Sequence, residues 1–379
     1  MTPPVNTVVF APDSFKGTIG AADAAVALAA GWAQARPDDR AVLRPLADGG
    51  EGTLDAFAAA VAGAVRVPVR VTGPDGAPTD AFWLRLAASA DAPDGTGVVE
   101  LASTSGIELL GARRLGEEAH TLGFGQAIAA ALDAGVSRLV LGIGSSASTD
   151  GGVGMLTALG ARFLDAAGVP IGVGARGLDD VVSADLSGVR ALPSSGVLVL
   201  SDVTNPLLGS SGAAAVFGPQ KGLAVEAIAR ADAGLARLAA LLPVDPATPG
   251  AGAAGGTGFG LLVWGARLVA GSAEVGGLVG LPTALAEASA VGSVVVVTGE
   301  GAFDGQSAAG KVPSYVASVA AGVGVPALLV AGRIAADADT GAFAAHSSLT
   351  DLAGSGNAAM QDPAHWLHIA GAELARALD

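Results

Sequence analysis

Short apolar runs recur along the chain, each closed by glycine, proline or a small polar residue and each followed by a loop. The densest is Val294–Val297, four consecutive valines. β-Branched residues at odd and even positions alike predict a strand buried on both faces, the form strands take in a parallel sheet. Thr7–Ala11 and Ala41–Leu46 read as a first and a second short strand, and Val325–Val330 predicts a last inner strand. An alanine-rich stretch ending before Pro37 predicts a helix after the first strand, with Thr18 as its N-cap. Both ends of the chain therefore read as strand–helix–strand units.

Between them the period changes. Val65–Thr72 alternates with period two, Gly73-Pro74-Asp75-Gly76 turns, and Ala81–Leu86 returns, which predicts a β-hairpin. Val98–Leu101, Leu139–Leu141 and Val197–Leu200 predict further strands, with a helix near Gly123–Ala134. Ala102–Gly106 reads as a Ser/Thr-rich loop and Gly250–Gly260 as a segment too rich in glycine for a helix. The C-terminal 30 residues read as one amphipathic helix without visible chemistry. The expected fold class is α/β with two domains. Residues 1–64 and 291–379 would form a discontinuous Rossmann-like domain with a parallel sheet. Residues 65–290 would form an inserted mixed-sheet α/β domain, and the strand 139–141 fits either.

Composition narrows the function classes. Half the residues are apolar and 15% are charged, enough for large cores and against disorder. A net charge of −15 argues against a nucleic-acid partner. The absence of cysteine excludes disulfides, thiolate metal sites and a cysteine nucleophile. Glycines and prolines interrupt every run before the ~18 apolar residues of a membrane helix, so a cytoplasmic protein without a membrane partner is expected. Of 20 basic residues only three are lysines, Lys16, Lys221 and Lys311, and all lie in glycine-containing loops. In an arginine-rich chain, a retained lysine points to a need for a compact ammonium, as phosphate ligation has.

The loops after the strands carry the candidate chemistry, because open α/β sheets bind ligands beyond the carboxyl ends of their strands. Asp13, Ser14 and Lys16 follow the first strand, Asp48 and Glu51 the second, and Glu300, Asp304 and Lys311 the four valines. Carboxylates hold magnesium and lysine meets phosphate, so phosphoryl transfer is the first hypothesis. The plainer readings are a turn capped by Asp13 and a helix N-terminus favoured by Glu51. Gly142–Gly152 holds four glycines, four hydroxyl residues and Asp150, a composition that suits backbone contacts to phosphate. Asp202 directly follows Val197–Leu200.

Two familiar motifs fail. Gly305–Lys311 fits G-x-x-x-x-G-K, but Val312 stands where a magnesium-binding Ser or Thr is required. No G-x-S-x-G occurs in the Gly142–Gly152 loop, which removes a serine-hydrolase reading. The four histidines, at 120, 346, 365 and 368, lie outside these loops, and His365 and His368 read as one face of a surface helix.

Ala11-Pro12-Asp13-Ser14-Phe15-Lys16-Gly17 followed by Ala47-Asp48-Gly49-Gly50-Glu51-Gly52-Thr53 resembles the bacterial type-1 glycerate kinase family. Matching segments continue in order at Gly142–Gly152, Asn205–Gly209, Phe217–Gly222, Gly250–Gly256 and Thr298–Gly301, so the resemblance spans nearly the whole chain. Four positions depart from the family pattern. Ser145 stands for a glycine and Thr149 for an asparagine, Thr204 for an aspartate, and Gly305 interrupts a match carried by Asp304 and Gln306. The resemblance implies ATP-dependent, magnesium-assisted phosphorylation of D-glycerate, usually at the 2-hydroxyl, in the cleft of a two-domain α/β protein. It further implies Asp48, Lys16 and Lys311 as catalytic residues, Asp13, Ser14 and Glu51 at the substrate, and Asp202, Glu300 and Asp304 as metal ligands. Gly144, Ser145, Ser146, Asp150, Gly151, Lys221, Gly255 and Gly256 would meet nucleotide phosphates. A monomer or homodimer is expected. The alternatives are a kinase for another small hydroxy acid and a non-catalytic binder of an anionic metabolite.

Overall fold

The computed structural model describes residues 7–305 and 311–378, so Gln306 and the rest of 306–310 lie outside the described residues. In chain order the strands begin with β1 (Thr7–Pro12), β2 (Arg40–Leu43), β3 (Val65–Thr72), β4 (Pro78–Leu86), β5 (Thr96–Glu100) and β6 (Arg138–Gly142). They continue with β7 (Arg162–Leu164), β8 (Ser183–Asp185), β9 (Val197–Leu200) and β10 (Arg267–Val269). The last three are β11 (Val294–Phe303), β12 (Ala327–Ile334) and β13 (Ala345–Ser348). The chain packs as two units, one holding residues up to 48, 55–62 and from 270 onward, the other 49–54 and 63–269. The second crossing falls near 270 where the sequence placed it near 290. The helices Gly271–Leu278 and Leu281–Val291 pack on β1, β11 and the helix Val312–Gly322, and Gly276 leaves room for the Tyr315 ring.

The first unit is built on a parallel sheet in the order β13–β12–β11–β1–β2. The four valines lie in β11, the central strand, and are buried, as the apolar run predicted. Phe10 and Trp32 meet edge to face with centroids 6.0 Å apart, among Leu28, Leu328, Val330 and Leu367. The helix after β1 runs Ala21–Ala35 and is capped by Gly20, not Thr18. Thr18 instead donates its hydroxyl to the Phe15 carbonyl at 2.5 Å, tightening the preceding loop. The C-terminus is a strand followed by three helices, Leu349–Ala353, Gly356–Gln361 and Pro363–Arg376. Gly354, at φ +75°, and Pro363 break what amphipathic spacing alone read as one helix.

The second unit is a mixed sheet in the order β10–β9–β6–β5–β4–β3. β3, β4 and β5 pair antiparallel, while β5, β6, β9 and β10 run parallel. The hairpin expected from Val65 is present, and strand 139–141 falls inside β6 of this sheet. The Ser/Thr segment forms a short helix, Ala102–Ser105. Gly250–Gly260 also departs from its reading, since Ala253–Trp264 is helical except at residues 254–256. Its glycines permit close backbone approach: a Cβ on Gly258 would stand 2.2 Å from the Gly250 oxygen, and one on Gly260 2.9 Å from that of Gly151.

In the first unit, Ala21–Ala35 and Pro363–Arg376 pack through reciprocal glycines. A Cβ on Gly31 would lie 1.8 Å from the His368 carbonyl oxygen, and one on Gly371 2.3 Å from that of Leu28. Gly→Ala inside a helix normally gains up to about 1 kcal/mol, but overpacking costs about 1–3 kcal/mol. Backbone cannot yield as a flexible side chain does, so Gly31→Ala is expected to lower stability by about 2 kcal/mol in urea unfolding. An unchanged or higher midpoint would show that the two helices are free to separate.

Candidate active site

The five parallel strands of the first unit deliver their C-terminal ends to one edge. β1 leads into Asp13, whose N–H donates to the Gly299 carbonyl at 2.8 Å. Ser14 follows, and the buried Phe15 ring anchors a tight loop closed by Phe15 N–H to the Ile19 carbonyl at 2.9 Å. Lys16 and Gly17 form the tip, Gly17 at φ +75°. Past β2, Leu46 N–H pairs with the Pro12 carbonyl at 2.9 Å and brings Asp48 alongside. Gly271 backs that turn, where a Cβ would stand 2.1 Å from the Asp48 oxygen. β11 carries Glu300 and runs on to Asp304, and Lys311 precedes the next helix. Asp13, Ser14, Lys16, Asp48, Glu300, Asp304 and Lys311 all line one pocket of about 460 Å³. Seven residues named from separate loops thus share one cavity.

Opposite charges alternate within it. Lys16 Nζ stands 3.3 Å from Asp48 Oδ2, and Lys311 Nζ lies 3.8 Å from Glu300 and 4.0 Å from Asp304. Glu300 is buried, Asp48 half-buried and Lys16 exposed. An ion pair this open contributes about 0–1 kcal/mol to stability, so its effect is to place charge. Burial pushes the Asp13 carboxyl well above the usual carboxylate range, and the charge of Asp48 pushes the same way. The Ser14 N–H, 2.6 Å from Asp13 Oδ1, and Lys16 pull against this shift. The Asp48 carboxylate raises Lys16 above the ordinary lysine value. The cluster therefore offers a paired carboxylate, a buried carboxyl whose pKa is raised and two ammonium groups.

The other named residues belong to the second unit. Glu51 and Asp202 are exposed there, Asp202 just past β9. The hydroxyl loop and the glycine segment do come together: Gly151 N–H donates to the Gly255 carbonyl at 3.1 Å. Ala254, Gly255 and Gly256 are three successive left-handed residues, and a Cβ on Gly255 would stand 2.0 Å from the Ser148 oxygen. Lys221, expected in an open loop, is the last residue of a helix and is buried, with Nζ on the Ser148 carbonyl at 2.5 Å. Burial lowers its pKa to about 7, against the opposing charge of Asp150.

Asp150 is fully buried and accepts from Thr121 N–H and Oγ1 at 2.9 and 2.8 Å and from Gly152 and Gly154 N–H at 3.2 Å. Both oxygens are thus engaged inside the protein. Ser146 is buried against Ser148, whereas Ser145 is exposed at φ +58°, keeping a left-handed turn without glycine. Thr149 is buried and its hydroxyl has no hydrogen-bond partner among the described residues, where the resembling family places an amide.

The sequence model of the glycerate kinase family matches residues 8–379. Glycerate 2-kinase of Escherichia coli K12 is 40% identical over 338 residues, 87% of this chain and 86% of that protein. Glycerate kinase of Bacillus subtilis 168 is 40% identical over 341 residues, covering 88% and 86%. A crystal structure from Salmonella typhimurium LT2, assigned as glycerate kinase 2, superposes with a TM-score of 0.81 at 38% identity, covering 99% of this chain and 98% of that one. This chain belongs to the glycerate kinase family. Its two-domain α/β fold and its class, a phosphotransferase acting on an alcohol, follow from that membership.

A glycerate kinase has anionic ligands to hold. Among the described residues no three His, Asp or Glu side chains converge as a metal cage. Magnesium does not require one, since it is commonly bound by one or two carboxylates plus substrate phosphates and water. Glu300 and Asp304, flanking Lys311 in the pocket, fit that arrangement. Sequence reasoning missed Arg333, which also lines the pocket from β12. β12 continues past Val330, pairing Ala302 with Arg333. The available signal was the rule that singled out the other loops, a charged residue just beyond an apolar run.

Asp13 supplies a pH test. The native state holds the Asp13 proton to higher pH than the unfolded chain, so stability falls as pH rises from the ordinary carboxylate range through the raised pKa. Asp13→Asn removes that loss. Its melting temperature relative to the parent is expected to rise as pH climbs above the ordinary carboxylate range, while glycerate phosphorylation falls. A difference independent of pH would show that Asp13 ionises without penalty.

Proposed function

We propose that this chain transfers the γ-phosphoryl group of ATP to the 2-hydroxyl of D-glycerate, with magnesium accompanying the nucleotide. The observation that carries this reading is the convergence of Lys16, Asp48, Asp13, Glu300, Asp304 and Lys311 on one pocket at the strand edge. The family supports glycerate as acceptor, and the E. coli relative's name supports the 2-position.

Phosphoryl transfer asks a protein for positioning and charge neutralisation more than for covalent chemistry. The hydroxyl oxygen attacks the γ-phosphorus, a new P–O bond forms, and the bond to the β–γ bridging oxygen breaks to release ADP. Asp48 accepts the hydroxyl proton. Lys16 holds Asp48 in place and, with Lys311, neutralises charge on the transferring group. Ser14 and Asp13 offer hydrogen-bond partners to the acid's polar groups. Magnesium, when bound through Glu300 and Asp304, offsets phosphate charge. In the second unit, Asp150, Gly151, Ser146, Lys221, Gly255 and Gly256 act as the frame of the hydroxyl loop, which leaves ligand contact there to Gly144 and Ser145.

Incubation with ATP, magnesium and D-glycerate is expected to release ADP only when glycerate is present and to yield 2-phosphoglycerate. Formation of 3-phosphoglycerate would overturn the position, and turnover with a different hydroxy acid alone would overturn the acceptor. Asp48→Asn is expected to cut kcat about 10²–10⁴-fold, the range for losing a general base, with melting unchanged. Near-normal turnover would remove Asp48 from that role.

A further inference from the structure

The pocket of the first unit is larger than a three-carbon acid occupies, and its lining changes character along the sheet edge. The strand order places Asp48 beyond β2, Asp13 and Lys16 beyond β1, Glu300 on β11, Arg333 on β12 and Leu349 beyond β13. Strands about 4.8 Å apart make this a run of about 19 Å from β2 to β13. All four carboxylates that line the pocket lie on the β2–β1–β11 side. The β13 side is closed by Leu349, Ala359, Met360 and Pro363, from the three C-terminal helical segments, and it has no acid or base.

Leu349 and Ala359 are buried, whereas Met360 is 60% exposed and brings a flexible, polarisable thioether to the pocket. Arg333 stands between the two regions, exposed, and its guanidinium has no ion pair or hydrogen bond among the described residues. Thr350 Oγ1 ties this end of the sheet together by donating to the Gly332 carbonyl at 2.7 Å. An elongated pocket with carboxylates and ammonium groups at one end, a guanidinium next and an apolar wall at the other matches one ligand class. That class is a nucleoside triphosphate, with a flat apolar base at one end and a polyanion at the other.

Resting on the reading that ATP is the donor, we infer that the wall formed by Leu349, Ala359, Met360 and Pro363 seats the nucleotide base, and that Arg333 meets its phosphates. The acceptor then occupies the Asp48 end, and the reaction axis runs along the strand edge from β13 toward β2.

The test uses the whole protein and two probes, ADP and inorganic tripolyphosphate, with binding measured by calorimetry. Met360→Glu is expected to weaken ADP at least tenfold while tripolyphosphate changes less than twofold. Arg333→Met is expected to weaken both at least fivefold. In steady-state assays each variant should raise the KM for ATP and leave the KM for D-glycerate within twofold. Melting curves check that both variants fold, and Met360 and Arg333 lie at the surface, where folding is least affected. ADP affinity unchanged in Met360→Glu, with the parent phosphorylating glycerate from ATP, overturns the base seat alone. A parent that neither binds ADP nor uses ATP overturns the donor assignment, and the seat with it.

Discussion

The Lys16–Asp48 ion pair sets the electrostatics of the first unit's strand edge. Parallel strands must bring their C-terminal loops together, and here that geometry gathers Asp13, Asp48 and Glu300 around one point. Asp48 and Glu300 both push the Asp13 carboxyl upward, on top of a larger effect from burial. Lys16 is the cation that acts against them, 3.3 Å from Asp48. A pair as exposed as this adds little to stability, so its consequence is functional. It holds a carboxylate and an ammonium side by side in the pocket, the arrangement on which the proposed reaction rests.

Much of this arrangement was legible in the residues. Four β-branched valines in a row favour a strand covered on both faces, and β11 is central in its sheet. The rarity of lysine marked Lys16 and Lys311, and both line the pocket. The same argument covered Lys221, which is buried and engaged with Ser148. Rarity shows that an ammonium is needed and not whether a ligand or a carbonyl needs it. Asp150 has the same history: its place in a glycine-rich loop suggested phosphate, while its four backbone and hydroxyl donors make it a brace.

The rest was hidden for identifiable reasons. Glycine density argued against a helix over 250–260, but three left-handed residues followed by a regular helix satisfy both the glycines and the hydrogen bonds. Apolar periodicity survived across Gly354 and Pro363, so three C-terminal segments read as one helix. That misreading also concealed the apolar wall, because Leu349, Ala359 and Met360 reach the pocket only when the chain turns between them. Ser145 keeps the left-handed conformation that a glycine would adopt without cost, showing that tertiary contacts, including its carbonyl to Ile107 N–H at 2.8 Å, can impose the backbone of that loop.

In the proposed reaction Lys16 and Asp48 act as one unit. A double-mutant cycle on kcat/KM for D-glycerate tests it, using Lys16→Met, Asp48→Asn and the combined variant. Residues that act together lose their effects together, so the combined variant is predicted to lie within about threefold of the worse single one. Losses that multiply in full would show two independent contributions and contradict a shared role for the pair.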